Sequence, residues 1–207
     1  MHLLYHSKED GNMKKIIALL VLVVCMFSLC SCGVAGTIVN VTSNVLINKF
    51  YHDYEKPLTT VHVGALSMEI PESFDAFVLD DTAAFVSLNN TWIVVEGVLF
   101  MYSSYSAGQT NEEYAALCRD TMITELESVG NIVSDISDIV SIPSGACFSV
   151  KVTEGLSSSN TFTSVHSDND SIWICQFSCV SDRFDIYEPY FIEWASSVKL
   201  NSVNSEA

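Results

Sequence analysis

Alternating apolar and polar residues dominate the chain from Val61 onward and predict a series of β-strands. The alternating segments are 65–70, 83–88, 146–152, 161–166 and 171–180, with a weaker candidate at 132–142. Segment 92–102 is apolar at both alternating sets of positions, which indicates a central strand covered on both faces. The polar tetrapeptide at 167–170 predicts a hairpin turn between the last two strands.

A helix is predicted after the central strand. Thr110 and Glu113 have the spacing of a capping box, in which each side chain accepts a hydrogen bond from a free backbone N–H. Apolar residues then recur every three or four positions and predict the buried face: Ala115, Cys118, Met122, Leu126 and Val129. Gly130 stands where a helix commonly ends in a left-handed conformation.

A second, shorter helix is predicted near the C-terminus. Asp185 is expected to cap it, and Pro189 suits its first turn. One side of this helix is apolar and consists of Phe191, Trp194, Ala195 and Val198. The order of strands, helix, antiparallel strands and helix predicts an α+β domain over residues 61–200, followed by a tail at 201–207. In this fold class helices pack on an antiparallel sheet.

Three phrases in this region resemble the PsbP-like family of αβα sandwiches, which includes bacterial lipoproteins. They are LSMEIPESF at 66–74, TNEEYAALCRDTM at 110–122 and IYEPYFIEWASSVKL at 186–200. The resemblance spans about residues 62–200 and rests on packing and turn motifs. It implies an αβα sandwich and an accessory role in larger assemblies, and it assigns no catalytic residue.

The N-terminal region has a different pattern. Met13, Lys14 and Lys15 precede an apolar run at 16–29, which is the arrangement of a secretory signal or anchor helix. A start at Met13 would make residues 1–12 an over-extended start, residues 13–31 the signal peptide and residues 32–60 a lipidated N-terminus and tether.

The end of the apolar run, Leu29-Cys30-Ser31-Cys32, resembles the lipobox of bacterial lipoproteins. The resemblance implies a diacylglycerol on the Cys32 thiol, cleavage between Ser31 and Cys32, and fatty acyl chains such as palmitate. Cys30 departs from the usual small residue at its position. Modification at Cys30 itself would put bulky Leu29 where a small side chain is needed, so Cys32 is the predicted site.

An uncleaved transmembrane helix is the alternative interpretation of the same region. The nearly continuous apolar sequence from 16 to 39 exceeds the roughly 20 residues that span a bilayer. The chain would then be a single-pass membrane-anchored structural protein. Both interpretations place the remainder of the chain outside the cytoplasm, on the extracytoplasmic side of a bacterial cell membrane.

The charge of the chain limits its partners. It has 9 Lys and Arg against 25 Asp and Glu, a net charge of −16. Removal of residues 1–31 takes away three basic and two acidic residues, which leaves 6 basic and 23 acidic residues. Such a surface repels phosphate backbones and anionic lipid headgroups. We therefore expect no nucleic acid partner and expect membrane attachment through a hydrophobic anchor.

Four cysteines remain in the mature domain: Cys118, Cys147, Cys175 and Cys179. Outside the cytoplasm disulfides are permitted, and four cysteines allow three pairings. Cys175 and Cys179 share one strand face and lie about 13 Å apart at ~3.3 Å per residue, so they cannot bridge each other. Buried free thiols and one disulfide both remain open.

Metal and cofactor sites are not predicted. The cysteines and histidines lack the close spacing of a zinc site. Asp168-Asn-Asp170 could begin a calcium loop, but Trp173 and Cys179 occupy the positions where an EF-hand needs Gly and Glu. We expect 167–170 to be a polar hairpin tip.

Two residues are weak candidates for a functional site. His166 could act as a base if folding brought it to a Ser or a carboxylate, although no catalytic motif accompanies it. Glu96 lies within the apolar segment 92–102, where burial would raise its pKa. The alternative for Glu96 is a β-bulge with Gly97 that lets the carboxylate reach water.

Three hypotheses of function follow. The favoured one is a lipid-anchored binding or accessory module of the bacterial cell envelope, with an envelope protein or a small ligand as its partner. The second is an envelope hydrolase, which needs a cleft where a histidine meets a Ser or a carboxylate. The third is a purely structural envelope protein. A groove lined by Tyr102, Tyr105, Tyr187 and Tyr190 would support the first hypothesis.

Overall fold

The computed structural model describes residues 57–88, 95–102, 108–168 and 171–201. The predicted leader, its cleavage site and the lipobox lie outside these ranges, as does most of the predicted tether. No helix within the described ranges is long and apolar enough to cross a membrane.

The described residues form eleven strands and two α-helices. The strands are β1 Leu58–Val63, β2 Leu66–Pro71, β3 Phe74–Asp80, β4 Ala83–Leu88, β5 Val95–Tyr102, β6 Ile132–Ser134, β7 Val140–Ile142, β8 Gly145–Glu154, β9 Ser157–Ser167, β10 Ile172–Val180 and β11 Lys199–Leu200. The helices are α1 Asn111–Ser128 and α2 Phe184–Ser196, and a single 3₁₀ turn, Ser181–Arg183, precedes α2.

The strands form two antiparallel sheets. The large sheet has the order β3-β4-β5-β10-β9-β8-β6, and β7 also pairs with β8. The small sheet has the order β1-β2-β11. In the large sheet β5 lies between β4 and β10, so the prediction of a central strand in segment 92–102 is confirmed. The domain is therefore the predicted α+β fold with a mostly antiparallel sheet.

Each face of the large sheet has its own hydrophobic core. One, which we call the α1-side core, packs α1 against β8 and β9 and includes Met122, Phe148 and Ile174. The other, the α2-side core, lies beneath α2 and the small sheet and includes Phe177 and Phe191. Because successive residues of a strand point to opposite faces, neighbouring residues of β10 enter different cores.

The start of α1 agrees with the sequence pattern. Thr110 Oγ1 accepts a hydrogen bond from the Glu113 N–H at 3.2 Å, and the Glu113 carboxylate accepts one from the Thr110 N–H at 2.8 Å. The helix ends before Gly130, whose φ of 90° lies in the left-handed region as predicted. Val129 was predicted to be buried, but it is exposed because the helix has ended at Ser128.

The second helix differs from the prediction at its start. The residue before α2 is Arg183, which makes no capping hydrogen bond through its side chain. Asp185 lies inside the first turn, and Pro189 lies inside the helix. The 3₁₀ turn leads directly into α2, so this helix begins earlier in the sequence than predicted. The predicted apolar side is buried as expected.

Four features of the sheet differ from the prediction. Backbone pairing begins at Leu58, three residues before the expected domain boundary at residue 61. β3 was not recognised, since its residues do not alternate. β9 begins at Ser157 and forms a long hairpin with β8, which turns at Gly155, where φ is 59°. Segment 132–142 contains two short strands, β6 and β7, instead of one.

Phe191 is the organising side chain of the α2-side core. Its ring stacks on Phe177 at a centroid distance of 5.3 Å and on Tyr187 at 5.9 Å, and it meets Trp194 edge-on at 5.5 Å. Each such aromatic pair contributes about 0.5–1.5 kcal/mol beyond its area burial. Phe191 therefore joins α2 to the sheet.

We expect Phe191→Ala to lower the free energy of unfolding by about 3–5 kcal/mol, because it opens a cavity among packed rings. Phe77→Ala is the matched control, since Phe77 is 66% exposed, and its effect should stay within about 0.5 kcal/mol. Urea unfolding followed by tryptophan fluorescence measures both values. Equal losses for the two variants would show that Phe191 does not join α2 to the sheet.

Candidate functional site

His166 is placed on β9 with its ring in the α2-side core, completely buried at 0% exposure. Nδ1 lies 3.0 Å from the backbone carbonyl oxygen of Ser144, and Nε2 lies 2.9 Å from Ser164 Oγ. The carbonyl can only accept, so Nδ1 carries the proton and Nε2 accepts from the Ser164 hydroxyl. Ser164 and His166 share a face because they are two residues apart on one strand. The two-residue spacing of Ser164 and His166 is the sequence signal that could have predicted this pair.

The position of His166 also depends on close approach of the backbone. A Cβ on Gly145 would lie 2.9 Å from His166 Nδ1 and 2.1 Å from the Val165 carbonyl oxygen. Ser144 Oγ in turn donates to the Ala195 carbonyl oxygen of α2 at 2.7 Å. The histidine is thus a link between β8, β9 and the end of α2.

Burial lowers the pKa of His166 to about 4, and the hydrogen bond to Ser144 opposes this shift only in part. The ring is therefore neutral at neutral pH. The Ser164–His166 pair has the hydrogen bond that a hydrolase requires but no access to a substrate. His62, the other histidine in the described ranges, is exposed on β1 and is separate from this pair.

Glu96 is placed on β5, on the same face as the α1-side core, and it is half-buried. Its ladder neighbours are Ser87 on β4 and Ser178 on β10. Burial raises the pKa of Glu96 above its usual value, as the sequence predicted. Only Glu96, of the two weak candidates, has contact with solvent.

The proposed β-bulge at Glu96 and Gly97 is wrong, because pairing to β4 and to β10 runs through both residues without a shift. Gly97 has a different role. A Cβ at this position would lie 2.7 Å from the Phe177 ring and 2.8 Å from a Val86 methyl group. The glycine therefore leaves space for the aromatic core on the opposite face from Glu96.

The four cysteines in the described ranges are free thiols: Cys118, Cys147, Cys175 and Cys179. The register places Cys147 and Cys175 on either side of Ser164, two strands apart in the sheet. Burial raises the pKa of the Cys147 thiol to about 11 and that of Cys175 to about 12. They are packing residues with little thiolate character at neutral pH.

β9 and β10 pair as the predicted hairpin, and the residues on either side of its tip, Asp168 and Ser171, hydrogen-bond to each other. Asp168 Oδ1 accepts from the backbone N–H of Ser171 at 2.7 Å and from its hydroxyl at 3.1 Å. The described ranges contain no cluster of three or more His, Cys, Asp or Glu side chains that could hold a metal ion. Tyr187 is buried in the α2-side core, so it cannot line the groove considered above.

The exposed edge of the large sheet is the feature that sequence analysis did not identify. Among the described residues β3 pairs only with β4, and six of its seven residues are exposed. Phe77, Val78 and Leu79 are consecutive and are 66%, 47% and 52% exposed. Asp75 and Asp80 flank them. The signal in the sequence was an apolar run between aspartates.

The part of the chain that the structure describes is acidic as a whole. Of the 25 acidic and 9 basic residues in the chain, 19 and 4 respectively lie in the described ranges. Two of these four basic residues, Arg119 and Lys151, already form ion pairs with Asp120 and Asp135. Cationic groups are therefore the complementary chemistry for this surface.

No protein-family model matches the chain, and no curated protein is significantly similar to it. Among solved structures, the solution structure of cyanobacterial PsbP (CyanoP) from Synechocystis has a TM-score of 0.53 at 12% identity, covering 82% of this chain and 98% of that one. The likeness shows that the described domain has a PsbP-like fold.

Two further structures match less well. A protein from Bacteroides thetaiotaomicron has a TM-score of 0.47 at 9% identity, covering 73% of this chain and 51% of that one, so the chain spans about half of that neighbour's length. LpqN, involved in cell envelope biogenesis of Mycobacterium tuberculosis, has a TM-score of 0.37 at 10% identity, covering 75% of this chain and 96% of that one.

We expect the stability of the domain to fall in mild acid because of His166. Its pKa is about 4 in the folded state against 6.5 for the ordinary group, so the unfolded state binds the proton first. The contribution is complete above pH 6.5 and is lost as the pH falls toward 4, by about 2 kcal/mol between pH 7.5 and pH 5.

Urea unfolding at a series of pH values measures this loss. His166→Asn should be less stable than the wild type at pH 7.5 and should lose less stability between pH 7.5 and pH 5. His62→Asn, at an exposed position, should keep the wild-type dependence. If His166→Asn lost as much stability as the wild type between pH 7.5 and pH 5, a buried neutral ring would be excluded.

Glu96→Gln tests the half-buried carboxylate. Because the folded-state pKa of Glu96 is raised, ionisation opposes folding and its cost grows as the pH rises above the ordinary value of 4.5. The neutral amide should therefore raise the melting temperature at pH 7.5 and change it little at pH 4. Glu193→Gln on α2 is the control. A lower melting temperature of Glu96→Gln at pH 7.5 would contradict the desolvation of Glu96.

Proposed function

We propose that this protein is a lipid-anchored accessory module of the bacterial cell envelope. In this proposal acyl chains on Cys32 hold an acidic PsbP-like domain outside the cytoplasm, where it binds another envelope protein. The observation that carries the binding role is the exposed apolar edge strand β3, in a domain whose Ser164–His166 pair is sealed in the core. The proposed location outside the cytoplasm rests on the lipobox pattern.

Physical chemistry supports an anchor made of lipid. The mature chain is too acidic to adhere to anionic headgroups, so it needs buried hydrocarbon to remain at the membrane. Each buried methylene of an acyl chain contributes about 0.8 kcal/mol, and two or three chains give stable attachment. The lipobox pattern at Leu29–Cys32 supports Cys32 as their point of attachment.

The burial of His166 argues against the hydrolase alternative. Ser164 and His166 are completely buried, so a substrate could reach Ser164 Oγ only if the packing on this face opened. α2 is part of that packing and is held to the sheet by the rings around Phe191. The pair is instead a structural link in the α2-side core. A binding role needs no such opening, since β3 is exposed in the folded domain.

Cys32→Ser tests the anchor. We expect wild-type protein to incorporate labelled glycerol and palmitate and to fractionate with membranes, and we expect Cys32→Ser to lose both labels. Intact mass of the membrane-extracted protein should show a chain that begins at Cys32 with added lipid.

Cys30→Ser is the matched control, since it changes the neighbouring thiol and keeps a small residue at that position. It should retain both labels and the same cleavage site. Lipid incorporation into Cys32→Ser would contradict Cys32 as the point of attachment. An unlabelled wild-type protein that keeps residues 13–31 would contradict the lipid anchor and favour the transmembrane alternative.

A further inference from the structure

The edge strand β3 offers unpaired backbone groups to another strand. β3 has seven residues, and only its β4 side is paired in the described ranges. Its pairing with β4 is regular from Phe74 to Val78 and shifts in register between Val78 and Asp80. At about 3.3 Å per residue the regular part presents an edge of roughly 16 Å, which is long enough for a hairpin or an extended peptide to add to the sheet. Exposed edges of this kind are normally covered or protected by charge.

The side chains of β3 are apolar on both faces of this edge. Phe77 is paired in register with Phe85, on the face of the α1-side core, and Val78 is paired with Ala84, on the opposite face. All of the residues from Asp75 to Asp80 are exposed. A strand added to β3 would therefore find apolar neighbours on both of its faces, and a polar peptide would leave them uncovered.

Charge disfavours a second copy of this chain as the occupant. A second β3 strand would bring another Asp75 and another Asp80 to the same edge, and like charges near one another destabilise a strand pair. The described ranges also carry 19 acidic against 4 basic residues, so two copies repel at longer range.

We propose that β3 binds an extended segment of a partner protein in which Lys or Arg residues flank a short apolar run. Such a segment would pair with the β3 backbone, cover Phe77, Val78 and Leu79, and place its basic residues beside Asp75 and Asp80. This inference rests on the proposed accessory function and names the surface and the partner chemistry through which it acts.

Peptide binding to the lipid-anchored protein in zwitterionic nanodiscs tests the chemistry. The probes are the blocked, dye-labelled peptides KVTVTVK and EVTVTVE, with empty nanodiscs as background. We expect KVTVTVK to bind at least tenfold more tightly. Asp75→Lys should weaken its binding about fivefold, as expected when one exposed pair turns from attraction to repulsion, and should strengthen the binding of EVTVTVE.

Two uncharged substitutions separate the apolar contact from the charge effect. Phe77→Ser should weaken KVTVTVK severalfold, whereas Leu117→Ser, at a similarly exposed apolar residue on α1, should leave binding unchanged. Equal affinity for both peptides, or equal losses in the two serine variants, would overturn the proposal.

Photo-crosslinking in cells tests the partner itself. The crosslinking residue benzoylphenylalanine replaces Phe77 in one variant and Leu117 in another, and mass spectrometry identifies the crosslinked peptide. We expect adducts at position 77 to a segment with basic residues around an apolar run, and few at position 117.

The other outcomes are distinguishable. Adducts at position 117 without adducts at 77 would overturn docking at β3 and leave the accessory function intact. Adducts from position 77 to residues of β3 itself would show self-association and overturn the proposed partner chemistry. An absence of protein adducts at both positions, in protein that is lipid-labelled and membrane-bound, would count against both proposals while the anchor stands.

Discussion

The central strands of the large sheet carry apolar side chains on both faces, and this constraint determines the rest of the fold. Trp173 and Ile174 are neighbours on β10, yet both are buried, one in each core. A sheet of this kind cannot leave either face in water. It needs two covering layers, which α1 provides on one side and α2 with the small sheet provides on the other.

The covering layers are narrower than the sheet. α1 packs chiefly against β8 and β9, and α2 contacts β2 and the strands from β7 to β10. β3 extends past these contacts at one edge, so its apolar residues remain exposed although Phe77 and Val78 pair in register with β4. The exposed edge thus follows from the mismatch between an eight-stranded sheet and two helices. Asp75 and Asp80 protect that edge with charge, and in the proposed interaction they also select which segment adds to it.

Local signals in the sequence predicted the parts of this structure that depend on local interactions. The capping box fixed the start of α1, and the two-sided apolar pattern identified β5 as central. The residues of β3 do not alternate between apolar and polar, because an exposed edge strand does not need one buried face. No periodicity in the sequence could therefore predict this strand. The hydrogen bond between Ser164 and His166 follows from their spacing on one strand. Its burial depends on α2, which lies about twenty residues further along the chain. Long-range packing of this kind is invisible to pattern analysis.

The proposed lipid attachment and the proposed recognition at β3 together describe a weak contact. Confinement at a membrane would raise the fraction of the protein that is bound. The chain between Cys32 and Pro57 can extend at most about 90 Å, so in the proposed arrangement a lipid on Cys32 would confine the domain to a layer beside the bilayer. Confinement raises the effective concentration of partners held in the same membrane. One added strand and two exposed charge pairs would give modest affinity in solution, where exposed pairs contribute little. In the proposed layer beside the membrane the same contact would be populated more fully, while acidic repulsion would disfavour self-pairing of β3.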